Sequence, residues 1–544
     1  MVSTILNRGQ SLFNRRQSST LSAASILMAA VFLSRILGLL RDRFLAGAFF
    51  DATTSWQLDI YFAAFRLPDM IFQLLVVGAL SAAFIPVFSK YLFKKQTEAW
   101  HIASSVITIG LVLFLILGSV LAIFSLPLSR LIAPSFTPAN LQLMANLTRV
   151  LILAQAFFLI SNFLTGILQS HHYFLVPALA PVAYNLGIIF GTVCLSPILG
   201  IYGPAVGVIL GAFLHFLVQV PLTKSLGFRY QPIIDLHHPG VRRIGRLMLP
   251  RAIALAVSQI ELTVAVFLAT SLPAGSLAIF YFAQHLNALP VGLFGATIGQ
   301  AALPSLAQNF SVKSFLASLN QVLYLSLPAG MILLILRLPI VRLAFGTKNF
   351  PWQATLLTGQ AVALFAVSVF AQAAIQILVR GFYALSNTRT PLYLAAVAVF
   401  TNVALSFVFV YSFGLGILGL ALALSIASFI HSGLLLFFLA RQVNGFPRPD
   451  LLIPFIKMSF AALITGFSLW VPLRLLDRYI LNTTKTLDLI ILSLITGLIG
   501  FSVYLLLSKL LKIKELDSFL GLIKRFLHLP KLLSQTDQIL NNEL

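Results

Sequence analysis

Two segments near the N-terminus place ionisable side chains at spacings that could do chemistry. The first reads Ser34-Arg35-Ile-Leu-Gly38-Leu-Leu-Arg41-Asp42. On a helix, Ser34 and Arg41 are seven apart and share one face, while Arg35 and Asp42 share the neighbouring one. The second segment carries Asp59 and Arg66, again seven apart. A guanidinium stays charged and binds phosphate oxygens bidentately, so Arg41, with Arg35 and Arg66 near it, suits a phosphorylated ligand. The same residues allow another arrangement, in which buried ion pairs, Arg35 with Asp59 or Asp42 with Arg66, orient two helices. Further along, Arg251, Ser258-Gln259 and Glu261 precede Gln284-His285-Leu-Asn287. His285 can titrate or donate to a phosphate oxygen. Glu261 with Asn402 and Ser406, the latter two on one helical face, is a candidate oxygen-ligand site for a cation.

Other chemistry is missing. There is no phosphate loop, no metal-binding His/Glu pattern and no nucleophile elbow, so the sequence argues against an enzyme and against an organic cofactor. The paired His171-His172 and His237-His238 fall in loops where solvated turns are expected. The single cysteine, Cys194, excludes an intrachain disulfide and a cysteine zinc cluster. Thirty-six Lys and Arg against fourteen Asp and Glu give a net charge of +22. Nucleic acid is nevertheless an unsuitable partner, because that reading needs a basic soluble face.

The elements that must position these residues are membrane helices. The chain has 544 residues, 59% hydrophobic and 9% charged, against about 25% charged in an average soluble domain. Apolar stretches predict fourteen spans, near 23–48, 59–88, 101–125, 142–168, 174–196, 203–222, 243–270, 275–305, 314–338, 354–384, 391–411, 417–440, 454–476 and 487–511. Charges interrupt the first stretch, so it is not expected to be a cleaved signal peptide. With a cytoplasmic N-terminus, the inner segments carry 21 Lys and Arg and the outer loops 7, which predicts both termini inside. The other eight cations, Arg35, Arg41, Arg43, Arg66, Arg149, Arg251, Arg380 and Lys457, fall in or beside spans with Asp42, Asp59, Asp69 and Glu261. Ionised groups in hydrocarbon cost at least ~2.5–3.5 kcal/mol each, which implies a polar cavity. Arg43, Arg149, Arg380 and Lys457 could instead snorkel from helix ends.

The chain also resembles itself at an offset near 217. Ala82-Ala83-Phe84-Ile85-Pro86 answers Ala301-Ala302-Leu303-Pro304, and Gly200, His215 and Gly227-Phe228 answer Gly416, His431 and Gly445-Phe446. This predicts a cytoplasmic segment at 1–22, a six-helix lobe at 23–222, a linker at 223–242, a second lobe at 243–440, two extra helices at 454–511 and a basic tail at 512–544. Parallel repeats of this kind suit a transporter working by alternating access. Prolines paired across the repeat, Pro68 with Pro290 and Pro86 with Pro304, mark either hinges or ordinary packing. The tail, partly amphipathic over 519–533, is expected on anionic membrane lipid.

Ser34-Arg35…Arg41-Asp42, Asp59 with Phe-Ala-Ala-Phe-Arg66-Leu-Pro68, and Gly78-Ala-Leu-Ser-Ala-Ala-Phe-Ile-Pro86 resemble the MurJ (MviN) family of lipid II flippases. Pro177-Ala-Leu-Ala-Pro181 with Asn185, Ser258-Gln259-Ile260 and Leu303-Pro304-Ser305-Leu306 are also similar to it. The resemblance covers roughly residues 23–511 and implies the MOP exporter superfamily: an all-α polytopic protein of fourteen helices, with two six-helix lobes and a lipid-tail groove at the final two. It implies movement of an undecaprenyl-pyrophosphate-linked peptidoglycan precursor from the inner to the outer leaflet of the bacterial plasma membrane. Cell-wall synthesis proteins are possible partners, and Na⁺ or H⁺ a possible coupling ion.

By the resemblance, Ser34, Arg35, Arg41, Asp42 and Asp59 line a cavity, with Arg41 near the pyrophosphate. Two departures stand out. After Leu-Pro the family has an arginine pair and a glutamate where this chain has Phe72-Gln73 and Val77, and its Ala-Asp-Arg reads Ala283-Gln284-His285 here. Either Arg66 and His285 take over part of the missing arginines' work, or the substrate has changed. Export of another lipid-linked oligosaccharide and a non-transporting cell-wall scaffold are the alternative functions.

Overall fold

A computed structural model describes residues 20–51, 53–77 and 83–521 of the chain. The segment 1–19, most of the basic tail and residues 78–82 of the second expected span lie outside the described residues. Every regular element among those described is a helix. Among the described residues eleven helices are long and apolar enough to cross a membrane, so this is a multi-pass membrane protein. Three expected spans stand apart from those eleven. The Thr20–Phe49 helix carries Arg35, Arg41, Asp42 and Arg43, the second span is broken, and Pro239–Thr270 is apolar only over Leu255–Thr270.

Chemistry explains the break. Where one span at 59–88 was expected, the chain forms Ser55–Ala64, Arg66–Phe72, a π-helical turn Gln73–Val77 and Ile85–Leu92. Pro68 has no N–H to offer the carbonyl of Ala64 four residues back, and its ring crowds that carbonyl. The Thr148 hydroxyl lies 3.3 Å from Ala64 O and shares its one proton between that carbonyl and the nearer Met144 O at 2.8 Å. The kink turns Arg66 and Asp69 onto a new axis.

The repeat is visible in backbone detail. π-helical turns occur at Gln73–Val77 and Val291–Ala296, and again at Gly191–Leu195 and Val408–Ser412, each pair about 217 residues apart. Gly200 and Gly416 both take φ of 55°, and Gly227 and Gly445 take 93° and 101°. These left-handed positions explain why glycine recurs there. π-turns inside helices concentrate at functional sites.

The chain separates into two compact units, one of residues 1–285, 344–361 and 399–423, the other of the remainder. In the first, Phe84, Phe88, Phe114 and Phe163 form a buried aromatic core. There Leu175–Phe190 and Tyr202–Leu217 touch backbone to backbone. A Cβ on Gly187 would lie 2.3 Å from Gly211 Cα, and one on Gly191 2.5 Å from Gly207 Cα. Small residues at four-residue spacing permit this approach. In the second unit Arg448–Tyr479 packs on Val312–Ile335 and Thr486–Leu510, and the Tyr504 hydroxyl donates to Tyr324 O at 2.7 Å. Three of the four cations suspected of snorkelling are held by backbone carbonyls: Arg149 by Ala122 O, Arg380 by Gln376 O and Lys457 by Leu511 O.

The segment 229–238 is clasped to Gln96–Ile123 in the first unit. Gln231 and Asp235 donate backbone N–H groups to the hydroxyls of Ser104 and Ser105, and His101 Nε2 donates to Asp235 Oδ2 at 3.0 Å. Asp235 Oδ1 accepts the N–H groups of His237 and His238. Hydrogen bonding from His101, then from these amides, holds the Asp235 carboxyl below its ordinary range. Its contribution is therefore present above about pH 3.9 and is lost only as pH falls through the lower folded value. Hydrogen exchange at His237 and His238 should stay slow down to that acidity. Asp235→Ala should raise it at neutral pH while the helices keep their protection.

Candidate functional site

The Thr20–Phe49 helix reaches the site through the face shared by Ser34 and Arg41. Asn185, on Leu175–Phe190, docks against that face. Its Nδ2 donates to Ser34 O at 3.2 Å and Ser34 Oγ at 3.4 Å, and its Oδ1 accepts from Arg41 Nη1 at 3.3 Å. Arg41 Nε and Nη2 both donate to Asp42 Oδ1, at 2.9 and 2.7 Å. The other Asp42 oxygen accepts from His285 Nδ1 at 2.7 Å. A carboxylate only 1% exposed thus receives three donors, the pairing a buried charge requires. With Nδ1 committed, His285 has Nε2 left, which donates only when the ring carries both protons.

Beside this network lies a cavity of about 210 Å³, lined by Arg41, Arg66, Asp69, Tyr61, Tyr184, Tyr281 and His285 with Leu45, Phe62, Phe65 and Ile188. Arg66 enters from Arg66–Phe72. Its Nε donates to Thr263 Oγ1 at 2.9 Å, and its Nη2 to Gln259 O at 2.9 Å and Gln259 Oε1 at 2.5 Å. These neutral acceptors hold the guanidinium without cancelling its charge. Each arginine has five N–H groups, so both keep donors for a ligand. The formal charges of Arg41 and Arg66 are matched by Asp42, which stands behind the wall, and by Asp69, which lines it. An anion in the cavity therefore meets the donors of both guanidiniums, with Asp69 as the lining carboxylate.

Arg41, Arg66 and His285 meet at this cavity, and Ser34 and Asp42 lie outside its lining and hold Asn185, Arg41 and His285 from behind. Two expected residues lie elsewhere. Arg35 is exposed and outside the lining, because Asn185 takes the face next to its own. Asp59, 3% exposed, accepts the backbone N–H of Gly275 at 2.6 Å and of Ala278 at 2.8 Å. It satisfies the free amides at the start of Ser276–Pro290 and so fixes the helix that carries Tyr281 and His285. Neither ion pair considered from the sequence, Arg35 with Asp59 or Asp42 with Arg66, forms. Elsewhere in the first unit Glu261, Asn402 and Ser406 do come together. Asn402 Nδ2 donates to Glu261 Oε1 at 2.5 Å, and Ser406 Oγ to Asn402 Oδ1 at 3.4 Å.

Sequence reasoning missed Asp69, Gln259, Thr263 and the three tyrosines as parts of one site. Asp69 had a signal, standing three residues after Arg66 on the same helical face, as did Tyr281, four before His285. Phe72, where a family arginine was expected, packs in the core with its ring 5.9 Å from Phe158. Arg66 and His285 are the groups this chain presents to the cavity instead.

Comparison with known proteins gives the family. The family model for lipid II flippase MurJ matches residues 45–488. A probable lipid II flippase MurJ of Bdellovibrio bacteriovorus is 28% identical over 494 residues, covering 88% of this chain and 92% of that protein. Its counterpart in Thermotoga maritima is 29% identical over 503 residues, covering 90% and 96%. A solved structure of lipid II flippase MurJ in an inward closed conformation matches with a TM-score of 0.75 and 27% identity, over 89% of this chain and 98% of that one. An inward-facing MATE family multidrug transporter of the MOP superfamily shares the fold, at a TM-score of 0.63 and 15% identity over 77% and 98%. With a family model that spans most of its length, and the arginine-lined cavity on its first helix, the chain belongs to the MurJ family of lipid II flippases.

Proposed function

We propose that this protein translocates lipid II, the lipid-linked peptidoglycan precursor, from the inner to the outer leaflet of the bacterial plasma membrane, and that it is a transporter rather than an enzyme. The observation that carries the reading is the convergence of Arg41 and Arg66 on one tyrosine-walled cavity in a chain of this family. At about 210 Å³ the cavity is smaller than the ~300–1,000 Å³ typical of drug-sized ligands. It suits the pyrophosphate, with the saccharide and peptide left outside. Bidentate donors matched to phosphate oxygens supply the binding, and His285 adds a further donor when doubly protonated.

The polyprenyl tail stays in lipid along Arg448–Tyr479 and Thr486–Leu510, whose exposed faces carry Phe460, Leu463, Phe467, Leu494 and Leu498. Alternating access of the lobes at 23–222 and 243–440, with both termini cytoplasmic, then exposes the head group outside. A membrane potential biases the cycle by about 2.3 kcal/mol per moving charge per 100 mV.

The reading assigns a coupling monovalent cation, Na⁺ or H⁺, to Glu261 with Asn402 and Ser406. One carboxylate with an amide and a hydroxyl oxygen matches a single positive charge. Glu261→Gln should remove any dependence of transport on the ion gradient and leave lipid II binding within about twofold of the parent. Transport by Glu261→Gln that still follows the gradient would exclude the assignment.

The test of the function is reconstitution in vesicles with fluorescent lipid II. Parent protein should bring the lipid to the opposite leaflet faster than protein-free vesicles do. Equal rates, or equal movement of an unrelated phospholipid, would remove the proposal.

A further inference from the structure

Among the described residues, Asp69 is the one carboxylate lining the arginine chamber, and no ion pair includes it. Arg66 stands three residues before it on the Arg66–Phe72 helix, a spacing at which side chains can meet. The arginine turns away instead, because its Nε and Nη2 donate to Thr263 and Gln259 on Pro239–Thr270. Arg41 is committed to Asp42. The side-chain partner of Asp69 is the neutral amide of Gln73, where the π-helical turn begins. Asp69 therefore faces the chamber as a carboxylate without a paired cation.

Charge decides what must accompany the cargo. With His285 neutral, Arg41 and Arg66 are already matched by Asp42 and Asp69. A pyrophosphate linking two substituents brings two further negative charges, and buried charges persist only when paired. The arginines supply donors to it without cancelling that addition. The cargo also arrives beside the Asp69 carboxylate, and like charges sharing a site repel. A small divalent cation answers both demands. Mg²⁺ is ordinarily held by one or two carboxylates together with substrate phosphates and keeps several of its waters, so it needs no preformed cage of protein ligands. The hydroxyls of Tyr61, Tyr184 and Tyr281 line the same chamber and can accept from those waters. We propose that lipid II occupies this chamber together with a divalent cation, which binds between the Asp69 carboxylate and the pyrophosphate oxygens. The inference rests on the flippase reading and adds a second ligand to its site. Asp69 then sets specificity: alone it repels the cargo, and with the cation it becomes a ligand. Each of the two raises the affinity for the other by the same factor.

The experiment measures binding of lipid II, and separately of inorganic pyrophosphate, to the full chain in detergent, with Mg²⁺ or with EDTA at equal ionic strength. Mg²⁺ should tighten binding to the parent about tenfold, within the ordinary range for two coupled ligands. Asp69→Asn keeps the shape and loses the charge. It should bind more tightly than the parent in EDTA and respond to Mg²⁺ by less than about twofold. Asp69→Glu should keep part of the response. With Mn²⁺ as a paramagnetic probe, adding pyrophosphate should raise Mn²⁺ binding to the parent about tenfold and to Asp69→Asn by less than about twofold. A parent that ignores Mg²⁺, or equal responses in parent and Asp69→Asn, overturns the cation site. So does parent binding in EDTA that acid alone restores to its Mg²⁺ level, which would assign the compensating charge to a proton. Pyrophosphate binding that needs Mg²⁺ and Asp69, in a parent that moves no lipid II, keeps the cation site and removes the flippase reading.

Discussion

Arg41→Ala should abolish lipid II translocation and weaken lipid II binding by about ten- to hundredfold, the worth of one or two charge-assisted hydrogen bonds to pyrophosphate. It should also destabilise the protein. Removing the guanidinium leaves the buried Asp42 carboxylate with His285 as its remaining side-chain donor, and stranding one member of a buried pair typically costs about 3–5 kcal/mol. The two effects separate cleanly. Arg41→Ala combined with Asp42→Asn removes the stranded charge, so thermal stability should recover in part while translocation stays lost. Arg41→Lys keeps the charge but not the planar fork, and should fall between parent and alanine in binding. Full translocation by a well-folded Arg41→Ala protein would return the scaffold alternative.

The second large effect is expected at Gly211. A Cβ there would sit 2.5 Å from Tyr184 O and 3.0 Å from the Tyr184 ring. The neighbour it meets is backbone, which cannot rotate away, so Leu175–Phe190 and Tyr202–Leu217 must separate. Overpacking of this kind costs about 1–3 kcal/mol or more. Gly211→Ala should lower the melting temperature in detergent, and Gly211→Leu should prevent recovery of monodisperse protein. Because Tyr184 and Asn185 ride on the displaced helix, the surviving Gly211→Ala protein should also bind lipid II more weakly. An unchanged melting temperature for Gly211→Leu would show that the two backbones are not in contact.

How much of this was legible in the sequence depended on distance along the chain. The shared face of Ser34 and Arg41 followed from helical period alone, and Asn185 docks on that face. The Leu67-Pro68 step gave notice of a kink, since a proline within a helix leaves a carbonyl without its donor. The repeat was readable because left-handed turns demand glycine, so Gly200 with Gly416 and Gly227 with Gly445 preserved it where other identities had drifted.

What stayed hidden was set by partners far away. Asp59 finds its donors at Gly275 and Ala278, more than two hundred residues on, and backbone amides leave no trace in composition. The pairing of Arg41 with Asp42 was hidden for the opposite reason. Adjacent residues on a helix do not face each other by period, yet the long arginine side chain folds back on its neighbour. The polar signature of the first helix, Ser34, Arg35, Arg41 and Asp42, therefore predicted a charged site but not which of its charges would be neutralised.

In the proposed mechanism Arg41 and Arg66 receive one pyrophosphate together. The most direct measurement is lipid II binding to parent, Arg41→Gln, Arg66→Gln and the double variant. Each single change should weaken binding about tenfold or more, and the double should lose less than the product of the two, because both arginines hold the same group. Binding by the double variant within about twofold of the parent would contradict it.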